Sequence, residues 1–172
     1  MGGNFGQYGA SYCIRSAFVD KVLNVDTKAH KHTDLTTYSF TGNKNQRFTI
    51  NNDGDDLIIR NIEDNRVLEV SHNSDGIRLV PYNGSPSQRW TLRRVDDGQN
   101  KGFYFILNAS NGNCLDISQQ KMKDFADIIS YKWNGGSNQM WEIIPCSRGM
   151  QSLPPHPKFN NNFGQNQGFN KW

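Results

Sequence analysis

Asn138-Gln139-Met140-Trp141-Glu142-Ile143 is the third copy of a stretch that also reads Asn45-Gln46-Arg47-Phe48-Thr49-Ile50 and Ser87-Gln88-Arg89-Trp90-Thr91-Leu92. In each copy a polar residue and a glutamine precede an aromatic and, two positions on, an aliphatic, so that both point to one face of a strand. The same tripeptide pattern occurs at Gln167-Gly168-Phe169, so it carries weight only with its context. Eleven residues before each glutamine an aliphatic follows an acid, in Asp34-Leu35, Asp75-Gly76-Ile77 and Asp127-Ile128. Further upstream, Ile14, Ile59 and Ile106 each stand nine residues ahead of a spaced aliphatic pair: Leu23/Val25, Leu68/Val70 and Leu115/Ile117. Constant intervals with joins of varying length predict a threefold repeat.

The repeats span residues 12–50, 57–92 and 103–146, and each divides into about four short strands broken by turn residues. The first runs from Tyr12 to Ala17, through Val22-Leu23-Asn24-Val25 and Leu35 to Phe40, to a closing strand from Gln46 to Ile50. No segment sustains a helical period, so the fold class is all-β. Twelve such strands can close into a barrel with a hairpin cap, which removes free edges. Residues 1–11, rich in glycine and without charge, read as a flexible arm. Residues 147–172, low in complexity and dominated by Pro, Gly, Asn, Gln and spaced Phe, read as a disordered tail. Its aromatics, Phe159, Phe163, Phe169 and Trp172, allow weak self-association or docking.

A length of 172 residues with 35% hydrophobic and 12% aromatic side chains is enough for one core. The first residues lack the charged and apolar regions of a signal peptide, and no apolar run is long enough to cross a membrane. The expected location is cytoplasmic, or outside the cell by a route without a classical signal peptide. The net charge of +3 comes from Arg148, Lys158 and Lys171, leaving sixteen cations against 16 acids in the rest. A balanced domain argues against a nucleic-acid partner, which requires clustered Lys and Arg. Cys13, Cys114 and Cys146 are too dispersed for a disulfide framework or a zinc site. They read as buried reduced thiols, or as a Cys13–Cys146 bridge that closes the chain ends with a free Cys114.

The repeated Gln-x-aromatic element, with Cys114-Leu115-Asp116-Ile117 and Asn134-Gly135-Gly136-Ser137-Asn138-Gln139-Met140-Trp141, resembles the ricin B-chain type lectins over about residues 12–146. The resemblance implies a β-trefoil of three pseudo-repeats whose partners are glycans or glycoproteins, often those bearing galactose or N-acetylgalactosamine. It further implies shallow pockets in which an acid holds the sugar hydroxyls, an aromatic ring covers the apolar C–H face and an asparagine adds a hydrogen bond. Carried over by position, the third repeat supplies Asp116, Tyr131 and Asn138, with Gln139 bracing the loop. The first has Asn24 in place of the acid, with Tyr38, Asn45 and Gln46. The second has Glu69, Val80 and Ser87, and is the pocket expected to be lost. Where secreted relatives bridge two cysteines, Cys114 faces the position of Trp133, and the equivalent pairs are Val22 with Phe40 and Val67 with Tyr82; this agrees with folding in a reducing compartment.

Neither metal nor cofactor is expected. His30 and His32, with Asp26 and Asp34, are the nearest to a ligand set, but they sit in a polar join where solvated side chains are the usual case. The acidic turn Asn51–Asp56 lacks the distal glutamate of a calcium loop. No nucleophile, base and acid assemble into a catalytic group, so the chain reads as a binding protein rather than an enzyme. The rival to sugar binding is a trefoil that serves as a protein-interaction or inhibitor scaffold with vestigial pockets.

Overall fold

Four apolar triplets fill the interior: Ile14/Ile59/Ile106, Leu23/Leu68/Leu115, Leu35/Ile77/Ile128 and Phe48/Trp90/Trp141, every member fully buried. They are the positions at which the spacing rules converge, one member from each third. Removing a side chain of this size from water stabilises by roughly 1.5–3 kcal/mol, so the triplets dominate the favourable side of folding. The structure, a computed structural model, describes residues 9–27 and 32–159.

The strands are β1 (Tyr12–Ser16), β2 (Val22–Val25), β3 (Leu35–Tyr38), β4 (Phe48–Asp53), β5 (Asp56–Asn61), β6 (Val67–Val70), β7 (Ile77–Val80), β8 (Trp90–Arg94), β9 (Tyr104–Asn108), β10 (Cys114–Ile117), β11 (Ile128–Tyr131) and β12 (Trp141–Pro145). Antiparallel pairing runs β1–β4–β5–β8–β9–β12 and back to β1, a closed six-stranded barrel. The remaining strands form three hairpins, β2–β3, β6–β7 and β10–β11. Each hairpin joins the barrel at one rung: Arg15 opposite Val22, Arg60 opposite Val67, Leu107 opposite Cys114. This is the β-trefoil, and closure leaves the barrel without a free edge. Among the described residues no helix is long and apolar enough to cross a membrane.

One hydroxyl ties the cap together. Thr33 Oγ1 lies 3.0 Å from the Ile77 carbonyl and 2.8 Å from the Ile128 carbonyl, which share its single O–H, and accepts from the amides of Leu35 and Ile77. The three glutamines do the same for each third. Gln46, Gln88 and Gln139 lie in short 3₁₀ turns rather than in the closing strand, which starts at the aromatic two residues on. Each side-chain oxygen accepts from the backbone amide five residues earlier, at Thr41, Asn83 and Asn134. Each side-chain nitrogen donates to a carbonyl seven residues earlier, at Ser39, Pro81 and Lys132, and to Asn24, Glu69 or Asp116 on the hairpin. The tryptophans of the second and third copies also donate from Nε1 to the Leu68 and Leu115 carbonyls, a bond that Phe48 cannot make.

One alternative is decided and one expectation changes. Cys13 and Cys146 are disulfide-bonded, with Cα atoms 5.5 Å apart, because β1 and β12 are neighbours; only Cys114 is left as a buried thiol. Residues 147–159, read from composition as the start of the tail, are instead packed as a strap across the bridge. Met150 and Leu153 join Phe40 around Cys13, Val22 and Cys146. Buried Arg15 pairs with Glu142 (2.8 Å) and donates to the Pro154 carbonyl (2.8 Å), while His156, only 3% exposed, bonds the Ser16 carbonyl and stacks on Phe159. Apolar residues and two carbonyl-presenting prolines give this part of the tail a docking face that its polar composition conceals. The arm through Tyr8, His30 and the tail residues 160–172, with Phe163, Phe169 and Trp172, lie outside the described residues.

Replacing Gln88 by Ala, in the third without a candidate pocket, strips the Asn83 amide, the Pro81 carbonyl and Glu69 of the bonds that Gln88 makes to them and will lower unfolding free energy by about 1–3 kcal/mol in urea titration; an unchanged midpoint would show that the amide brace is dispensable. Alkylation of the unfolded, unreduced protein followed by mass analysis will modify Cys114 alone, and labelling of Cys13 or Cys146 would contradict the bridge.

Candidate functional site

The β10–β11 hairpin alternates its side chains, so Leu115 and Ile117 enter the core while Cys114 and Asp116 take the opposite face. Register sets Asp116 opposite Ile129 and Cys114 opposite Tyr131, two rungs apart, which puts the carboxyl and the phenol on one face as a diagonal pair. Both line a cavity of about 450 Å³, together with Asn138, Asn134, Gln119 and Gln120. Tyr131 is half exposed at the rim, whereas Asp116 and Asn138 are each 4% exposed on the floor.

Asp116 Oδ2 accepts from Gln139 Nε2 at 2.8 Å. Burial pushes its carboxyl above its ordinary pKa, against the opposing effect of hydrogen bonds from Gln139 and Asn138. No cation pairs with it among the described residues. Asn138 Oδ1 is buried without a hydrogen-bond partner. Gly136 makes room for that oxygen, since a Cβ there would lie 2.5 Å from it. An acid and an amide held at the bottom of an open cavity with unused acceptor capacity suit a ligand rich in hydroxyl donors.

The first third repeats the arrangement with changes. Asn24, Tyr38 and Asn45 line a cavity of about 270 Å³ with Asp26, Asn43 and Phe125. Asn24 Oδ1 accepts from Asn45 (3.0 Å) and Gln46 (3.2 Å), and its Nδ2 donates to Thr36 Oγ1 (3.3 Å), so both ends of the amide are engaged within the protein. The Tyr38 ring is tilted against Phe125, centroids 4.8 Å apart. Phe125 belongs to the join between β10 and β11, so this cavity is built from two thirds of the fold. In the second third Glu69 Oε2 accepts from Gln88 (2.8 Å) and sits opposite Arg78, while Val80 stands where the others carry a ring.

All eight residues singled out in the first and third repeats are brought together, in two separate groups; Gln46 and Gln139 brace the cavities from behind rather than lining them. Phe125, Gln119 and Gln120 were not foreseen. They lie in the longest of the three joins, where no periodic signal applies; Asn134 was visible only as part of the Asn-Gly-Gly turn. Trp133 takes the place expected for a bridging cysteine, packing edge-on to Phe105 (5.9 Å) with the Arg93 guanidinium 4.9 Å from its ring. Next to this cluster the Cys114 thiol is pushed up by burial to about 11. His32 pairs with Asp75, and the described residues contain no cluster able to hold a metal.

The sequence matches the model of the ricin-type β-trefoil lectin domain over residues 10–141. The chain belongs to that family. No curated protein matches it in sequence. Among solved structures it is similar to ThreeFoil, a designed threefold-symmetric protein, at 24% identity, TM-score 0.70, over 78% of this chain and 97% of that one. It is similar to the Macrolepiota procera ricin B-like lectin in complex with lactose at 21% identity, TM-score 0.68, over 81% and 98%. An exo-β-1,3-galactanase from Clostridium thermocellum matches at 22% identity, TM-score 0.70, over 80% of this chain, which spans 30% of the enzyme's length. At these identities the likeness establishes the trefoil.

A folded-state pKa above the unfolded value of about 3.9 means that the Asp116 contribution to stability is fully present below about pH 4 and is lost as pH rises through the folded pKa. Asp116→Asn removes that loss, so the variant will gain stability relative to the parent between pH 4 and pH 7 in paired denaturation curves. A relative loss over that range would contradict the raised carboxyl pKa.

Proposed function

We propose that this domain binds glycans bearing galactose or N-acetylgalactosamine, chiefly in the third repeat, and acts as a binding module without catalysis. The observation that carries the reading is the buried, cation-free Asp116 carboxylate beneath the exposed Tyr131 ring in one open cavity. A carboxylate accepts from two neighbouring hydroxyls in charge-assisted bonds, and a phenol covers the apolar face of a pyranose. Asn138 supplies a further polar contact, and Gln139 fixes the carboxylate. Lactose in the Macrolepiota procera lectin, a galactose-ended sugar on the same fold, supports the sugar class.

Asn24, Tyr38 and Asn45, braced by Gln46, form a weaker second pocket, because an amide already bonded at both ends has less to offer a hydroxyl. The ringless second repeat contributes none. The Cys13–Cys146 bridge supports the second of the two expected locations, outside the reducing cytosol.

Calorimetric titration with lactose will give binding that Asp116→Ala reduces to the residual of the first pocket, with a melting temperature within a few degrees of the parent. Affinity in the parent will also fall as pH drops through the raised Asp116 pKa, since the neutral acid loses its charge-assisted bonds. Full binding by the Ala variant, or affinity indifferent to acid, would remove Asp116 from the site.

A further inference from the structure

The balanced charge of the linear sequence conceals a local excess of cations. A cavity of about 310 Å³ opens between the β3–β4 turn and the strap, and Lys44, Arg47 and Arg148 all line it. Among the described residues no carboxylate pairs with any of the three. Arg47 is only 7% exposed, and its Nε is buried without an acceptor. The equivalent positions show which part of this is unusual within the fold. Arg89, in the second third, has a buried, unpartnered Nε as well but keeps Asp53 3.2 Å from its Nη2, and the third third places apolar Met140 in a core cluster, so among the described residues Arg47 alone of the three is a cation without a carboxylate. A guanidinium removed from water is costly unless something replaces its solvent shell. Arg47 is therefore a nearly buried cation without a carboxylate partner among the described residues, lining a cavity with two further cations.

The strap is held where it completes the cavity. Gly42, at φ +73°, lies so close to the strap that a Cβ would sit 2.9 Å from the Met150 carbonyl oxygen. Cys146 anchors the strap covalently just before Arg148. This cavity also adjoins the first sugar pocket, because Thr41 and Asn43 line both.

We propose that the cavity is an oxyanion site that receives the sulfate or carboxylate substituent of an acidic glycan whose neutral ring lies in the adjoining pocket of Asn24, Tyr38 and Asn45. The proposal rests on the sugar reading of that pocket. Three convergent cations satisfy a compact anion through charge-assisted hydrogen bonds, tetrahedral or planar. They do not form the extended cationic track that a polyphosphate chain requires. Sequence alone could not reveal the site, since Arg148 reaches Lys44 and Arg47 only through the bridge and the strap.

The test uses the full chain carrying Asp116→Ala, so that the first pocket alone reports. Lactose, galactose-sulfated lactose and sialylated lactose are titrated at low ionic strength, with inorganic sulfate as a sugar-free probe. An acidic derivative will bind about tenfold or more tightly than lactose, and sulfated against sialylated lactose identifies which oxyanion the cavity prefers. Exposed Arg148 and Lys44 can be changed without disturbing the core: Arg148→Gln and Lys44→Gln will each remove most of the increment while leaving lactose affinity unchanged, and added salt will erode it. Gly42→Ala, which lifts the strap with every charge retained, will act like Arg148→Gln. Acidic derivatives no tighter than lactose, or an increment that survives Arg148→Gln, overturn the proposal. Sulfate binding that Arg148→Gln abolishes, with no response to any of the sugars, overturns the glycan assignment of the adjoining pocket and leaves only an anion hole.

Discussion

A buried primary amide, repeated three times, is the constraint on which the rest depends. Gln46, Gln88 and Gln139 each satisfy a turn amide, a turn carbonyl and a polar side chain on the neighbouring hairpin. A glutamine so placed cannot be exchanged for an apolar residue of like size without leaving buried partners unsatisfied. It also couples fold to cavity, since the group that receives its N–H in the third repeat is the carboxyl on the cavity floor. Rigidity of Asp116 is inherited from the turn, and the floor of the cavity is therefore set before any ligand arrives.

The three thirds share this brace and diverge in what surrounds it. Asp116 is held by Gln139 on the floor of an open cavity, Asn24 is bonded at both ends, and Glu69 accepts from Gln88 with His72 nearby and valine where the other thirds carry a ring. The position after each glutamine diverges as well: Arg47 without an acid, Arg89 with Asp53, Met140 in a core cluster. Threefold symmetry fixes a backbone and a core, and the side chains on the outer face are then free to give each third a separate task.

What could be read without coordinates follows from range. The four core triplets obey fixed intervals within a repeat, so Ile14, Leu23, Leu35 and Phe48 and their counterparts were legible one by one. Asp116, Tyr131 and Asn138 were legible only through the family resemblance; hairpin register then accounts for the shared face of the first two, while Asn138 comes from the turn before β12. Phe125 in the first pocket was not, since it crosses from another third on a join without period. The strap was hidden by composition: polar residues dominate it, yet Met150, Leu153 and His156 are spaced to meet Phe40, the bridge and Ser16. The grouping of Lys44, Arg47 and Arg148 was hidden by separation along the chain.

The covalent link between β1 and β12 has a mechanical consequence. Both ends of the domain leave from adjacent strands, so tension applied between residues before Cys13 and residues after Cys146 is borne by the sulfur bridge and not by the ladder between those strands. Whatever the two ends are tethered to, a tug between them leaves the barrel unloaded. The strap would peel away first, surrendering its hold on Arg15 and Phe40 while the pockets of the first and third repeats kept their shape.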